Sequence, residues 1–317
     1  MLYHVGALRA MNQLGMLRSV GRVSCVSGGS VAGAVLGLHW TQLKFNRNGV
    51  ADNFDDLVAM PILKFSSHTV DWQTAIGKAM GRANSHFEKR MNVLLFDGAT
   101  LQDLPSDSDG PRFVFCATNV ETGNLFRMSR PYMRDYAGPH SENPDLPLST
   151  AVAASASFPP YLAPTRVPCS GQSVVLVDGG VYDNLALEPV LKRFRHLHVS
   201  DGGRPFIRLR PRLNWISLGY RTSLLLDSQV RRLRRRQLVD GLISGRVSGA
   251  LWRIDRPLSG PHRAESEVDD RHVRLAGIPT RLSAIPESTQ EELSAWGEAS
   301  ARTAIMEHCQ RTECPGA

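Results

Sequence analysis

Two stretches of this chain carry residues whose types and spacing suit chemistry on a carbonyl group. The first is Val23-Ser24-Cys25-Val26-Ser27-Gly28-Gly29-Ser30-Val31-Ala32-Gly33-Ala34. A short β-branched run meets two glycines and a serine, then passes into small and apolar residues at helical spacing. The pattern predicts a buried strand turning sharply into a helix, with the Ser30 hydroxyl at the corner. Such a nucleophile elbow strains the serine backbone and needs small neighbours. Gly28 stands two residues before Ser30, Ala32 two after it where glycine is commoner, and Gly33 one further on. A helix starting at Val31 aims its amides at the serine, and the Val31 amide is then an oxyanion donor. The same residues also read as a Gly-Gly turn before an ordinary helix, with Ser30 as its N-cap.

The second stretch is Ser173-Val174-Val175-Leu176-Val177 followed by Asp178-Gly179-Gly180-Val181-Tyr182-Asp183-Asn184. An acidic residue at the end of a buried strand sits where α/β proteins place reactive groups, and two glycines let the chain turn without covering the carboxylate. A plain Asp-Gly turn is the structural alternative, and Asp201-Gly202-Gly203 repeats the tripeptide. A serine hydroxyl attacks only when a neighbour takes its proton. His196 and His198 follow Asp178 in the order Ser…Asp…His, but they lie where a helix end passes into a strand and suit packing better. Asp178 itself is a weak base unless a dry site lifts its pKa. An alcohol leaves more readily than an amine, so esters fit better than peptides.

The elements that must position these groups follow from periodicity. Leu2, Val5, Leu8, Met11 and Leu14 recur at helical spacing, so the chain opens inside an amphipathic helix. The strand at 23–26 leads through the elbow to a helix ending near Trp40. Residues 46–110 read as helices and loops, with one helix from Trp72 to Met91. A strand at 112–119 is joined by the Glu121–Asn124 turn to a hairpin partner at 125–128. Residues 138–148 read as a loop, and Ser149–Ser157 as a close-packing helix stopped by Phe158-Pro159-Pro160. Trp215–Gly219 reads as a strand, Ser223–Ile243 as a long helix, and Val247–Ile254 as strand-like. Residues 258–272 read as a polar loop. Ser288 and Glu291 form a capping box before the last helix. No repeat or linker is evident, which predicts one domain over 1–317.

In their order these features resemble the patatin-like phospholipase family. The matching pieces are Val5–Met11, Ser27–Gly33, Ala117–Gly123, Ala154–Pro160 and Asp178-Gly179-Gly180 with Asn184 behind them. They span 5 to about 190, and 220–317 resembles bacterial members more loosely as a mostly helical continuation. The resemblance implies a three-layer α/β/α fold with a mainly parallel sheet and a Ser–Asp dyad, acting on acyl esters of glycerolipids. By position Ser30 is then the nucleophile and Asp178 the base, with Gly28, Gly29, Gly179, Gly180 and Asn184 as supporting motif residues. Family members draw further oxyanion donors from a Gly-rich loop before the first helix. No glycine-rich segment precedes Gly6, which implies a start further upstream. The alternative is a catalytically impaired, lipid-associated member.

Charge and cysteine content narrow the partners. With 37 Lys+Arg against 30 Asp+Glu the net charge is +7, which favours polyanionic neighbours. Arg231, Arg232, Arg234, Arg235 and Arg236 on one helix are candidates for docking on anionic lipid, or form a solvated face paired with Asp227 and Asp240. No aromatic residue is interleaved for base stacking, so nucleic acid is not expected. The five scattered cysteines have no metal-site spacing and fit a reducing, cytoplasmic setting with peripheral membrane contact. No cofactor or metal is expected.

Overall fold

The computed structural model describes residues 1–68, 80–159, 161–207, 214–258, 270–278 and 284–312. The chain opens with helix α1 (Leu2–Gln13), strand β1 (Arg22–Val26) and helix α2 (Gly28–His39), then α3 (Met60–Ser66) and α4 (Met80–Met91). Four strands come next: β2 (Arg112–Asn119), β3 (Leu125–Ser129), β4 (Tyr132–Arg134) and β5 (His140–Glu142). After α5 (Leu148–Ala156) come β6 (Thr165–Cys169), β7 (Gln172–Asp178), the short helices α6 (Gly180–Asp183) and α7 (Glu188–Leu191), and β8 (His196–Asp201). The remainder holds α8 (Trp215–Ile243), β9 (Ser248–Arg253), α9 (Arg271–Gly277) and α10 (Glu287–Thr312).

The α/β class holds, but the expectation of a mainly parallel central sheet is overturned. In the seven-stranded sheet the order is β5-β4-β3-β2-β7-β6, with β1 alongside β2. Only β1 and β2 run parallel; the other pairs are antiparallel. Parallel pairing needs a long crossover, which the β1-to-β2 connection supplies through α2 to α4. Strands β2 to β5, and β6 with β7, follow one another through short turns, which force antiparallel neighbours, and β7 returns antiparallel beside β2 after the α5 connection. A second sheet, β8 and β9, is parallel, with α8 as its crossover.

Register on β2 brings two strand ends together. Val26, the last residue of β1, is opposite Cys116, and Asp178, the last residue of β7, is opposite Ala117. The two strands therefore meet end to end along one edge of β2, so whatever follows Val26 lands beside Asp178. Alternation on β2 buries both of its faces. Phe113, Phe115 and Ala117 enter the main core with Val31 and Val35 of α2 and Val152 of α5. Val114 and Cys116 face the other way, against Ala186 and Tyr182. Fully buried side chains of the Phe113 kind contribute about 1.5–3 kcal/mol each, so this strand is a rigid ruler for the site. A separate cluster packs Leu2, Ala10 and Met11 of α1 against Leu293, Trp296 and Ile305 of α10.

Other expectations are refined. Trp215–Gly219, read as a strand, forms the start of α8, because the Asn214 side chain accepts a bond from the Ser217 amide (2.8 Å) and caps the helix there. Ser288 lies inside α10 rather than at its cap. The loop reading at 138–148 contains β5, and β4 and β6 are short strands with no clear sequence signal. Residues 72–79 of the expected 72–91 helix, and most of the 258–272 loop, lie outside the described residues. Among the described residues no helix is long and apolar enough to cross a membrane.

Candidate active site

The strand-to-helix corner falls three residues earlier than expected. Helix α2 begins at Gly28, and Ser27 holds the turn with φ 52° and ψ −127°, one of five non-glycine residues with positive φ among the described residues. For a serine this is a strained conformation of the kind that collects at functional sites. Ser27 is half-buried, whereas Ser30 is 0% exposed, third in the helix, with its amide bonded to the Ser27 carbonyl at 2.9 Å. The expected place of Ser30 at the corner is therefore corrected. Its hydroxyl meets Ser155 Oγ at 2.8 Å, inside the protein.

Val31 is also displaced from its expected role. As the fourth helical residue it lies where amides are already committed to the helical ladder, while Gly28 and Gly29 supply the orphan amides of the first turn. These two glycines are half-buried beside Ser27. Two residues before the corner stands Cys25, buried on β1, where elbows commonly carry glycine. Gly33 makes room for it: a Cβ there would come within 2.2 Å of Cys25 Sγ.

Asp178 arrives from β7 as the register requires. It is 3% exposed, its Oδ1 accepts the Gly180 amide at 2.7 Å, and the Ser27 side chain is near enough to favour its charged form. Burial pushes its pKa up to about 6, the Gly180 bond and the Ser27 side chain oppose that, and nearby Asp227 and Arg231 of α8 act in opposite senses. The carboxylate is thus a stronger base than a solvated aspartate. Gly179 lets the chain pass close to Cys116, and Asn184, at the end of α6, has a buried side-chain amide without a hydrogen-bond partner.

Ser155, at the end of α5, ties these pieces together. Its hydroxyl donates to the Cys116 carbonyl (2.6 Å) and accepts from the Ser27 amide (3.1 Å), and its own carbonyl accepts from the amides of Ser27 (3.1 Å) and Gly179 (3.3 Å). Next to it, the Ser157 carbonyl accepts the Asp178 amide at 3.0 Å. Sequence reasoning passed over Ser27 and Ser155. The signal for Ser27 was present, since Ser27-Gly28-Gly29 places a glycine two residues after the serine. Nothing local marks Ser155, whose value is purely tertiary.

The histidines occupy other places. His196 Nε2 lies 3.0 Å from His198 Nε2, with Ser248, His308 and Trp252 around the pair, and none of these belongs to the elbow. His4 of α1 does approach it, with its ring 3.9 Å from where a Gly29 Cβ would stand, but its Nδ1 is bonded to Ser200 Oγ at 2.8 Å. Burial lowers its pKa to about 3, which keeps it neutral. Among the described residues no cluster of three or more His, Cys, Asp or Glu forms a metal site.

The arginine run divides. Arg231 pairs with Asp227 (3.4 Å), Arg234 with Glu188 (3.4 Å) and Asp183 (3.7 Å), and Arg235 with Asp201 (2.6 Å). Arg234 and Arg235 thereby hold α8 to the body of the protein, and Arg231, paired within the helix, reaches it by donating to the Arg204 carbonyl (2.6 Å); none of the three faces outward, which corrects the expectation for them. Arg232 and Arg236 are exposed.

No curated protein matches the chain. The profile described as patatin-like phospholipase matches residues 1–191, which takes in the elbow, β2, α5 and Asp178. With more than half of its length matched, this chain belongs to the patatin-like phospholipase family.

Proposed function

We propose that this protein is a serine acyl-ester hydrolase of the phospholipase A type, in which Ser27 rather than Ser30 is the nucleophile and Asp178 its base. Family membership supports lipid acyl hydrolysis at the coarse level. The observation that carries the residue assignment is the strained backbone of Ser27, at the corner that the register of β1 and β7 on β2 sets beside Asp178. Asp178 takes the Ser27 proton as the hydroxyl oxygen attacks the ester carbonyl. The developing oxyanion is met by the Gly28 amide, the residue after the nucleophile, at the positive end of α2. The tetrahedral species expels the alcohol, which takes up the proton from Asp178. Water, activated in turn by Asp178, then releases the fatty acid from Ser27. No metal or cofactor enters this sequence of steps. The whole of 1–317 is read as one patatin-like unit, a reading supported by the packing of α1 on α10.

A fluorophosphonate probe tests the assignment. Wild-type protein and Ser30→Ala should label, whereas Ser27→Ala should not, and Asp178→Asn should label far more slowly. Labelling that persists in Ser27→Ala and vanishes in Ser30→Ala overturns it.

A further inference from the structure

Helix α8 runs past the site, since Asp227 and Arg231 both act on the charge of Asp178. Its inner face is accounted for by the ion pairs of Arg231, Arg234 and Arg235 and by buried Leu238. The opposite face is unusual. Trp215 (83% exposed), Leu218, Leu225, Leu226 (62%) and Leu233 (59%) all reach solvent. At 100° per residue they fall within one stripe along the helix. Arg232 stands at the border of that stripe and Arg236 within it, and neither is paired with a carboxylate among the described residues. Asp240 is the acidic residue on this side, one turn past Arg236. On the inner face near the start of α8, the Tyr220 hydroxyl bonds that of Tyr161, outside the stripe.

We infer that the outer face of α8 is an interfacial docking surface for anionic lipid, with Trp215 and the leucines entering the headgroup boundary and Arg232 and Arg236 meeting the headgroup charge. An exposed helix face that combines Trp and leucines with unpaired arginines has the composition of one that lies in a membrane interface. Charge selects the partner: the unpaired residues on the rim are mostly basic, and the whole chain carries +7. The inference deepens the lipid-hydrolase reading and rests on it for the choice of lipid over another apolar partner. Docked this way, α8 brings the elbow side of the protein to the bilayer surface, where an acyl ester needs to travel only a short path to Ser27.

Co-sedimentation with vesicles of phosphatidylglycerol and phosphatidylcholine, against pure phosphatidylcholine, tests this. The full chain should bind the anionic vesicles, and binding should weaken with salt. Arg232→Gln with Arg236→Gln should reduce partitioning about thirty-fold, from about fivefold per basic side chain near such a surface. Leu226→Ser with Leu233→Ser should reduce it independently. Both double variants should keep the parent's circular dichroism and its hydrolysis of a soluble short-chain ester. Equal binding by parent and variants overturns the inference. So does a parent dimer in sedimentation equilibrium that Leu226→Ser with Leu233→Ser dissociates, since a second copy then covers the face. Vesicle binding that survives in Ser27→Ala supports docking, and a lack of ester hydrolysis in the parent counts only against the catalytic reading.

Discussion

The assignment of Ser30 to structure and Ser27 to chemistry can be tested through Ser155. Its hydroxyl serves the Cys116 carbonyl, the Ser27 amide and the Ser30 hydroxyl at once, all inside the protein. In Ser155→Ala the Ser27 amide keeps the Ser155 carbonyl, but the Cys116 carbonyl and the Ser30 hydroxyl each lose a partner. Two buried polar groups left short at about 1–3 kcal/mol each give an expected loss of about 2–6 kcal/mol, the lower end applying where the strand ladder still serves Cys116. Ser30→Ala removes one donor from a group that keeps two other bonds, and should cost about 1 kcal/mol. The double variant no longer contains the orphaned Ser30 hydroxyl, so its cost should fall short of the sum by about 1 kcal/mol.

Urea unfolding followed by circular dichroism and tryptophan fluorescence reads all three values, provided that the m-value is unchanged and the two probes coincide. Ester hydrolysis, measured on the same samples, should be near parental in Ser30→Ala. Costs that add within about 0.3 kcal/mol would show that the two hydroxyls are not partners. Abolished hydrolysis in a Ser30→Ala protein of parental stability would refute the assignment outright.

Other outcomes follow from the same geometry. Asp178 must be ionised to accept a proton, so kcat/KM for a soluble ester should rise with pH through about 6 and level off above it. Asp178→Asn should lower the rate by about 10²–10⁴-fold, and a profile unchanged in shape or an unaffected rate contradicts its role as base. A Gly179→Ala side chain would stand 2.2 Å from the Cys116 carbonyl oxygen and 2.9 Å from Val26 Cγ2. Relief requires the end of β7 to move, so a stability loss of at least about 1–3 kcal/mol should accompany a fall in activity. A parental melting temperature would contradict the end-to-end meeting of β1 and β7. Burial lowers the His198 pKa to about 4, with His196 and His308 adding to the shift. The unfolded chain therefore binds the proton more tightly, and the contribution of His198 to stability, full above about 6.5, is lost as pH falls toward 4. At 1.36 kcal/mol per pH unit this is on the order of 3 kcal/mol. His198→Gln should flatten that slope in urea titrations at pH 4.5 and 7, and an equal slope in the variant removes the argument.

What the sequence shows and hides at this site has a physical pattern. Strand β2 and its hairpin to β3 were legible because alternation and an Asn-Val-Glu-Thr-Gly-Asn turn are local signals. Helix α5 was legible because a run of small residues before Phe158-Pro159 has few other uses. The elbow was legible as an object but not in its position, since two frames compete within four residues. One frame has Gly28 before Ser30; the other has Gly29 after Ser27, with Cys25 where a glycine is commoner. Choosing between them needs the backbone: only Ser27 has positive φ, and only Gly33, eight residues beyond Cys25, explains how that thiol is tolerated. Trp215–Gly219 has strand-like composition, yet a single cap from Asn214 makes it helix. The arginine run is the clearest case of information lying elsewhere. Arg234 and Arg235 differ from Arg232 and Arg236 in nothing but helical phase, and the sense of that phase depends on Asp183, Glu188 and Asp201, which precede them by more than thirty residues. Chemistry that depends on one strained residue or on partners distant in the chain is therefore read from register and packing. The pairing of Val26 with Cys116 and of Asp178 with Ala117 accounts for Ser27 and Asp178 meeting at all.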